Sequence, residues 1–253
     1  MDKIGKYNFI AGPFHCDMSQ RLFMGYLVND MLNAADFHSD EHGYGVTYMN
    51  SVHKAWVISR LAVEMIEMPP MYTKFHIETW VESAMRYFTN RNFSVVGNDG
   101  KVYGYGRFVW ALIDTDTRQP ADINAIMGDY MSQWLEKEKP CPIARSSRVK
   151  ISEDAQLVRT LDTTYTDVDV NGHINSVKYI DHVLDLWNLE WYKNHTIRRV
   201  EVAYVSEGHQ GDRLAMYLEQ TGELEYSVRI MKVAPDTEEA VEACRCLVAF
   251  NNC

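Results

Sequence analysis

Apolar side chains recur at steps of three and four along residues 174–191. Ile174, Val177, Ile180, Leu184, Trp187 and Trp191 share one face of a helix at that spacing. Directly before them stand Asp169, Asn171, Gly172 and His173. Short polar side chains followed by glycine suit a helix N-terminus, so the pattern predicts a helix from this cluster to Trp191. The cluster would then face unpaired amides and the positive dipole end, a place that polarises a carbonyl or holds an anion. The same layout occurs once before. Ser19 reads as a cap, and the segment to Phe37 gathers Leu27, Val28, Met31, Ala34 and Ala35 on one side.

Elsewhere the period is two, or the runs are β-branched and short. Residues 6–14 predict a strand and 38–50 a loop. The run 56–68 stops at Pro69-Pro70. Residues 74–81 alternate Phe75, Ile77, Thr79 and Val81, and 87–96 ends in the turn signal Gly97-Asn98-Asp99-Gly100 before a long strand at 101–114. Residues 116–153 break the rhythm with Pro120, Pro140, Pro142 and a charged run at 136–139, around a short helix at 123–135. A strand near 161–165 and the helix above follow, then strands at 196–205, 213–219, 225–234 and 240–250. The chain therefore divides into a first module at 1–118, a connector at 119–155 and a second module at 156–253.

The two modules align as a repeat. Asp17-Met18-Ser19-Gln20-Arg21-Leu22 lies over Asp169-Val170-Asn171-Gly172-His173-Ile174 at an offset of 152, and Arg60-Leu61-Ala62-Val63 lies over Arg199-Val200-Glu201-Val202 at an offset of 139. On the second register Met68 lies over Glu207. The layout is shared, but only the second half keeps the polar triplet and a carboxylate.

Composition removes some functions. A formal net charge of −10 over 253 residues argues against nucleic acid as a partner. Five cysteines at 16, 141, 244, 246 and 253 lack metal-type spacing and read as free thiols of a reducing compartment, with Cys244 and Cys246 on one face of a strand. The N-terminal residues carry no signal-peptide pattern, and no apolar run is long enough for a bilayer, so the expected location is cytoplasmic, without a membrane partner. His15, His38, His42 and His53 are scattered, and neither a metal nor another cofactor is expected.

Asp169, Asn171, His173 and Glu207 are the candidate catalytic set. The interval 207 − 171 = 36 leaves room for a helix and one returning strand, which would bring Glu207 back beside the helix start. A carboxylate there suits acyl hydrolysis, as base on water or as nucleophile, with Asn171 and helix amides holding the oxyanion. Taken singly, Asp169 and Asn171 are helix caps, His173 a satisfied histidine and Glu207 a solvated turn residue. The combination, absent from the first half, points to a site.

The run Asp167-Val168-Asp169-Val170-Asn171-Gly172-His173-Ile174-Asn175-Ser176-Val177-Lys178-Tyr179-Ile180, with Tyr204-Val205-Ser206-Glu207-Gly208, resembles the signature of acyl-acyl carrier protein thioesterases. The resemblance implies an α+β double hot-dog, two tandem repeats each with a long helix wrapped by a curved antiparallel sheet. It implies hydrolysis of a fatty acyl thioester on acyl carrier protein, an acyl tunnel in the first module lined by Trp56 and Met68, and the second module as the catalytic one. Plant members carry Cys where this chain has Gly208, so a thiol mechanism from that position is excluded and Glu207 is favoured. Arg145, Arg148, Lys150, Arg198 and Arg199 are candidates to dock the acidic carrier. An acyl-coenzyme A thioesterase and a non-catalytic acyl-thioester-binding module are the competing functions. The internal repeat makes one chain a pseudo-dimer, and a homodimer is the other candidate state.

Overall fold

Phe75, Ile77, Thr79 and Val81 are all buried on one face of strand β3 (Lys74–Ala84), as their alternation predicts. The computed structural model describes residues 2–253, which form two units, the first running to Arg145 and the second spanning Ser146–Cys253. In the first unit β1 (Gly5–Ile10), β3, β4 (Phe88–Gly97), β5 (Val102–Asp114) and β2 (Lys54–Met65) lie side by side in that order, every pair antiparallel. Helix α1 (Met24–Glu41) buries Met24, Leu27, Val28, Met31, Ala34 and Ala35, which is the apolar face read from the sequence.

The second unit repeats the order. Strands β6 (Gln156–Asp162), β8 (Arg213–Gln220), β9 (Glu225–Val233), β10 (Ala240–Asn252) and β7 (His195–Tyr204) form an antiparallel sheet in which each strand takes the place of its counterpart. Helix α4 (Ser176–Leu184) packs Val177, Ile180 and Val183 into its core. Strand β6 lies earlier than the expected 161–165. Cys244 and Cys246 share a face, both fully buried with sulfurs 3.9 Å apart.

Three expectations change. First, α4 begins at Ser176, not at Asp169. Asn175 caps it by accepting the Val177 amide at 2.9 Å. Gly172 has φ +81°, a left-handed conformation that a helix interior excludes. Second, that helix does not run unbroken to Trp191. It stops at Leu184, and Asn188 caps a separate α5 (Leu189–Asn194) through the Trp191 amide at 2.9 Å. The break lets Trp187 and Trp191 meet Tyr226 and Phe250 in one aromatic cluster. Third, residues 38–50 are not all loop, since α1 extends to Glu41 and α2 (Val46–Ser51) follows. Residues 123–134, inside the expected connector, form α3 (Ile123–Met127) and a tight helical turn, and pack with the first unit's core around Tyr44, Leu112 and Trp134.

Two buried polar groups shape the first unit. The Arg91 guanidinium donates to Ser39 Oγ at 2.8 Å, Tyr44 OH at 3.2 Å and His38 Nδ1 at 3.1 Å. Burial and the Arg91 cation push His38 down to about 3, which keeps the ring neutral and its nitrogen free to accept. Asp30, half-buried on α1, is pushed up to about 7 by burial alone. The unfolded chain releases that proton near the ordinary carboxylate value, while the folded chain holds it to about 7. Stability therefore falls as pH rises between those values and levels off above. Asp30→Asn is expected to remove that loss, with an advantage over wild type that grows from near zero at pH 4 to about 3 kcal/mol at pH 8, the full linkage value reduced because the side chain keeps partial contact with solvent. Denaturant unfolding of both proteins across that range is the check.

Candidate active site

Asp169 organises the polar cluster by closing a turn rather than by capping the helix. Its carboxylate Oδ1 accepts the amides of Asn171 at 2.8 Å and His173 at 3.3 Å. Its own amide donates to the His173 carbonyl at 2.8 Å, and the Gly172 amide donates to the Asp169 carbonyl at 3.1 Å. Glycine takes the one left-handed step, and an antiparallel bridge between Val168 and Ile174 closes the base. Val170 and Asn171 stand exposed at the tip.

The first unit builds the same turn, position by position. Asp17 Oδ1 accepts the amides of Ser19 at 2.8 Å and Arg21 at 3.2 Å, its amide donates to the Arg21 carbonyl at 2.8 Å, and Cys16 bridges Leu22. Gln20 takes the left-handed step with φ +60°. Each contact is the second unit's counterpart at the offset of 152. The offset of 139 holds as well. The Leu22 amide donates to the Pro69 carbonyl at 3.0 Å, as the Ile174 amide does to Gly208 at 2.8 Å. The repeat is thus one backbone with two sets of side chains.

Those side chains differ where chemistry would occur. In the second unit His173 Nε2 lies 3.5 Å from Glu207 Oε2, both side chains partly exposed at 28% and 39%. In the first unit the equivalent pair is Arg21 and Met68, and the Arg21 guanidinium instead donates to the Met68 carbonyl at 2.9 Å and lies 3.7 Å from Glu67. Glu207 is held along its backbone: Lys232 Nζ donates to its carbonyl, and the next residue, Gly208, receives Ile174. A Cβ at Gly208 would fall 2.5 Å from the buried Tyr179 hydroxyl, so a larger residue here would force this loop or the Tyr179 side chain on α4 to shift.

Beneath the turn, Asp167 is buried and fully engaged. Its Oδ2 accepts the Thr164 amide at 2.7 Å and hydroxyl at 3.0 Å, and its Oδ1 lies 2.9 Å from His182 Nε2 on α4. These donors and the His182 charge hold its carboxyl below the usual range despite burial, which acts the other way. The turn carrying Asp169, Asn171 and His173 is pinned to the helix by this side chain.

Sequence reasoning missed Lys232 and His209. The rings of His173 and His209 meet edge to face with centroids 5.1 Å apart. The Asp212 carboxylate accepts the His209 amide at 2.9 Å and lies 4.0 Å from Lys232 Nζ. His209 stands two residues after Glu207, and that proximity was the available signal. Lys232 comes from β9, so nothing local marked it.

Trp56 and Met68 do not come together. Trp56 is the third residue of β2 and Met68 lies beyond the strand's far end, with about 30 Å of extended chain between them. Trp56 packs with Tyr44, Leu112 and Trp134 and donates its Nε1 to the Tyr44 carbonyl at 3.0 Å, while Met68 is buried beside the first unit's turn. Three of the docking arginines are neutralised: Arg145 pairs with Glu82 at 3.0 Å, Arg198 with Glu225 at 2.9 Å, and buried Arg199 with Glu201 at 2.7 Å. Arg148 and Lys150 remain exposed. Burial pushes the thiols of Cys16, Cys141 and Cys244 up, so none of the three is an activated thiolate. Two surface concavities of about 440 and 450 Å³ surround Tyr7 and Glu41 in the first unit, and neither is lined by a residue of the polar set. No helix of the described residues is long and apolar enough to cross a membrane.

Comparison with known proteins places these features. Residues 6–131 match the acyl-ACP thioesterase N-terminal domain, and residues 151–246 match the acyl-ACP thioesterase C-terminal domain. Oleoyl-acyl carrier protein thioesterase 1 of Arabidopsis thaliana is 25% identical over 233 residues, which is 87% of this chain and 64% of that protein. The palmitoyl-acyl carrier protein thioesterase of Gossypium hirsutum is 22% identical over 79% of this chain and 51% of its own length. The match thus spans between about one third and just under two thirds of the length of the curated relatives, 32% to 64%. A crystal structure of an acyl-ACP thioesterase from Bacteroides thetaiotaomicron superposes with a TM-score of 0.89 at 44% identity, over 98% of each chain. The 12:0-ACP thioesterase from Umbellularia californica superposes with a TM-score of 0.85 at 17% identity, over 100% of this chain and 99% of that one, a likeness of fold.

Proposed function

The chain belongs to the acyl-ACP thioesterase family, and on that premise we propose that it hydrolyses the thioester of fatty acyl-acyl carrier protein to release free fatty acid. The approach of His173 to Glu207 at 3.5 Å carries the reading. It joins a base and an imidazole on one backbone frame whose duplicate holds Arg21 and Met68 instead. Residues 156–253 supply the chemistry, and residues 1–118 receive the acyl chain, with Trp56 and Met68 toward its two ends.

Each residue has a role set by where it is held. Glu207 accepts the proton of the attacking water, since its carboxylate is partly exposed while its backbone is fixed from two sides. His173 orients that carboxylate and the water. Asn171, exposed at the turn tip, donates its side-chain amide to the carbonyl oxygen as charge develops there. Asp169 spends its carboxylate on the amides of Asn171 and His173 and so fixes both without reacting. The carbon–sulfur bond then breaks, and acid and carrier thiol leave.

The test is hydrolysis of one acyl group on two carriers, acyl carrier protein and coenzyme A, at low and high salt. Faster release from the carrier protein, weakening as salt rises, is expected if an acidic protein docks through charges such as Arg148 and Lys150. Equal rates on both carriers at all salts would assign the enzyme to acyl-coenzyme A. Tight acyl-thioester binding without turnover would make it a binding module.

A further inference from the structure

His209 occupies the position of Pro70 in the repeat, since 209 − 139 = 70. The backbone confirms that register independently. The Asp212 amide donates to the His209 carbonyl at 3.1 Å, as Thr73 does to Pro70 at 3.0 Å, and Thr163 donates to the Asp212 carbonyl at 2.9 Å, as Ala11 does to Thr73 at 3.0 Å. Gly211 and its counterpart Tyr72 even share a left-handed step, with φ +93° and +67°. Four facing positions therefore differ together: Ser19, Arg21, Met68 and Pro70 in the first unit, and Asn171, His173, Glu207 and His209 in the second.

The cleft between the two loops differs too. In the first unit the Met71 amide donates to the Gln20 carbonyl at 2.8 Å, and Arg21 bridges Pro70, which zips the loops shut. The equivalent partners are Gln210 and Gly172, and among the described residues no backbone hydrogen bond joins them. The second unit is left open at the one point where the imidazoles of His173 and His209 face each other. His209 is the more exposed of the two, open to solvent where His173 is partly buried.

We propose that His209 is the proton donor to the departing thiol, a role that rests on the hydrolase reading above. The carrier is a folded protein that stays outside, so the sulfur leaves toward solvent, where His209 stands. Water adds to the carbonyl carbon as Glu207 takes one of its protons. The carbon–sulfur bond breaks, and its electron pair takes a proton from the His209 imidazolium. Glu207 returns its proton through solvent and His209 is reprotonated, so the balance is thioester plus water to acid plus thiol. Imidazole is the side chain whose charge changes nearest neutrality, as this exchange needs.

The test compares wild type with His209→Gln on two thioesters of one acyl group, an S-pantetheine ester and an S-(4-nitrophenyl) ester. An alkyl thiol gains from protonation as it leaves, whereas the far more acidic arenethiol does not. Loss of the donor is expected to lower kcat on the pantetheine ester by about tenfold to a hundredfold, the low end of general acid catalysis because sulfur leaves readily. The nitrophenyl ester should fall less than threefold, on the same warrant. With His209→Ala, added imidazole should restore the alkyl rate and leave the aryl rate unmoved. Equal losses on both esters, or none on either, overturn the assignment while leaving the hydrolase reading intact. A wild type that cleaves neither ester nor the same acyl group on acyl carrier protein overturns both.

Discussion

Glu207→Gln should lower kcat for acyl-thioester hydrolysis by about three orders of magnitude, within the span of a lost general base. The amide keeps the size of the carboxylate and its place 3.5 Å from His173, but it cannot accept a proton from water. KM should stay within about twofold, because the interaction removed is made in the transition state rather than with bound substrate. Thermal stability should be unchanged. The side chain is 39% exposed, and the contacts of Lys232 and Ile174 are to the backbone on either side, which the amide leaves in place. Steady-state kinetics beside a melting curve decide it. A variant that melts normally and retains most of its turnover would remove Glu207 from the mechanism and leave the turn as structure.

The second large effect lies beneath the turn. Asp167→Ala should destabilise the second unit by roughly 3 kcal/mol, the scale for breaking a buried paired charge. The carboxylate is 5% exposed and accepts from the Thr164 amide, the Thr164 hydroxyl and His182. Alanine would leave those donors, all at the partly buried edge of the turn, without their acceptor. Because the folded carboxyl is held low, its contribution is complete above the unfolded value near 4 and is lost as pH falls through the folded value. The gap between wild type and variant should therefore be wide at pH 7 and close as the solution is acidified below about 4. Turnover should fall as well, by about a hundredfold at most. The turn that carries Asn171 and His173 would be free to shift, and about 1 Å of displacement costs on that order. Unfolding at two pH values and kcat at neutral pH measure the two effects separately. A variant as stable as wild type at pH 7 would contradict the anchoring role.

Much of this site was legible before any coordinates. The offsets of 152 and 139 rest on a few aligned residues, yet they hold down to single hydrogen bonds, Leu22 to Pro69 and Ile174 to Gly208 among them. Repeats preserve backbone geometry because turn chemistry and core faces constrain few residue types, and those are what an internal alignment detects. The replacement of Arg21 and Met68 by His173 and Glu207 could be read the same way, as a difference on a common frame. His209 was readable too, since it stands two residues after Glu207 and the same register places it over Pro70, but it falls just outside the recognised motif.

What misled the reading was local ambiguity. Asp-x-Asn-Gly serves a helix cap and a tight turn equally well, and only the φ of +81° at Gly172 separates them. The face running through Trp187 and Trp191 fits one continuous helix. Asn188 breaks it by offering a cap, and the aromatic cluster with Tyr226 and Phe250 holds the broken form. The connector at 119–155 rests on Pro120, Pro140, Pro142 and the charged run at 136–139, with a short helix at 123–135 that the structure splits into α3 and a tight helical turn. Whether such a segment packs depends on apolar surface supplied by distant strands.

By itself, the sequence determined the duplicated strand–helix–strands order, the faces that become core and the half of the chain that carries ionisable groups. Each follows from periodicity or from comparing one half with the other, both properties of neighbours along the chain. The tertiary structure alone decided that His173 reaches Glu207, that His209 faces His173, that Lys232 arrives from β9, and that three of the arginines offered for docking, Arg145, Arg198 and Arg199, are already paired with Glu82, Glu225 and Glu201. Those are pairings across strands and loops far apart in sequence, set by sheet register and loop closure, and no local pattern encodes them.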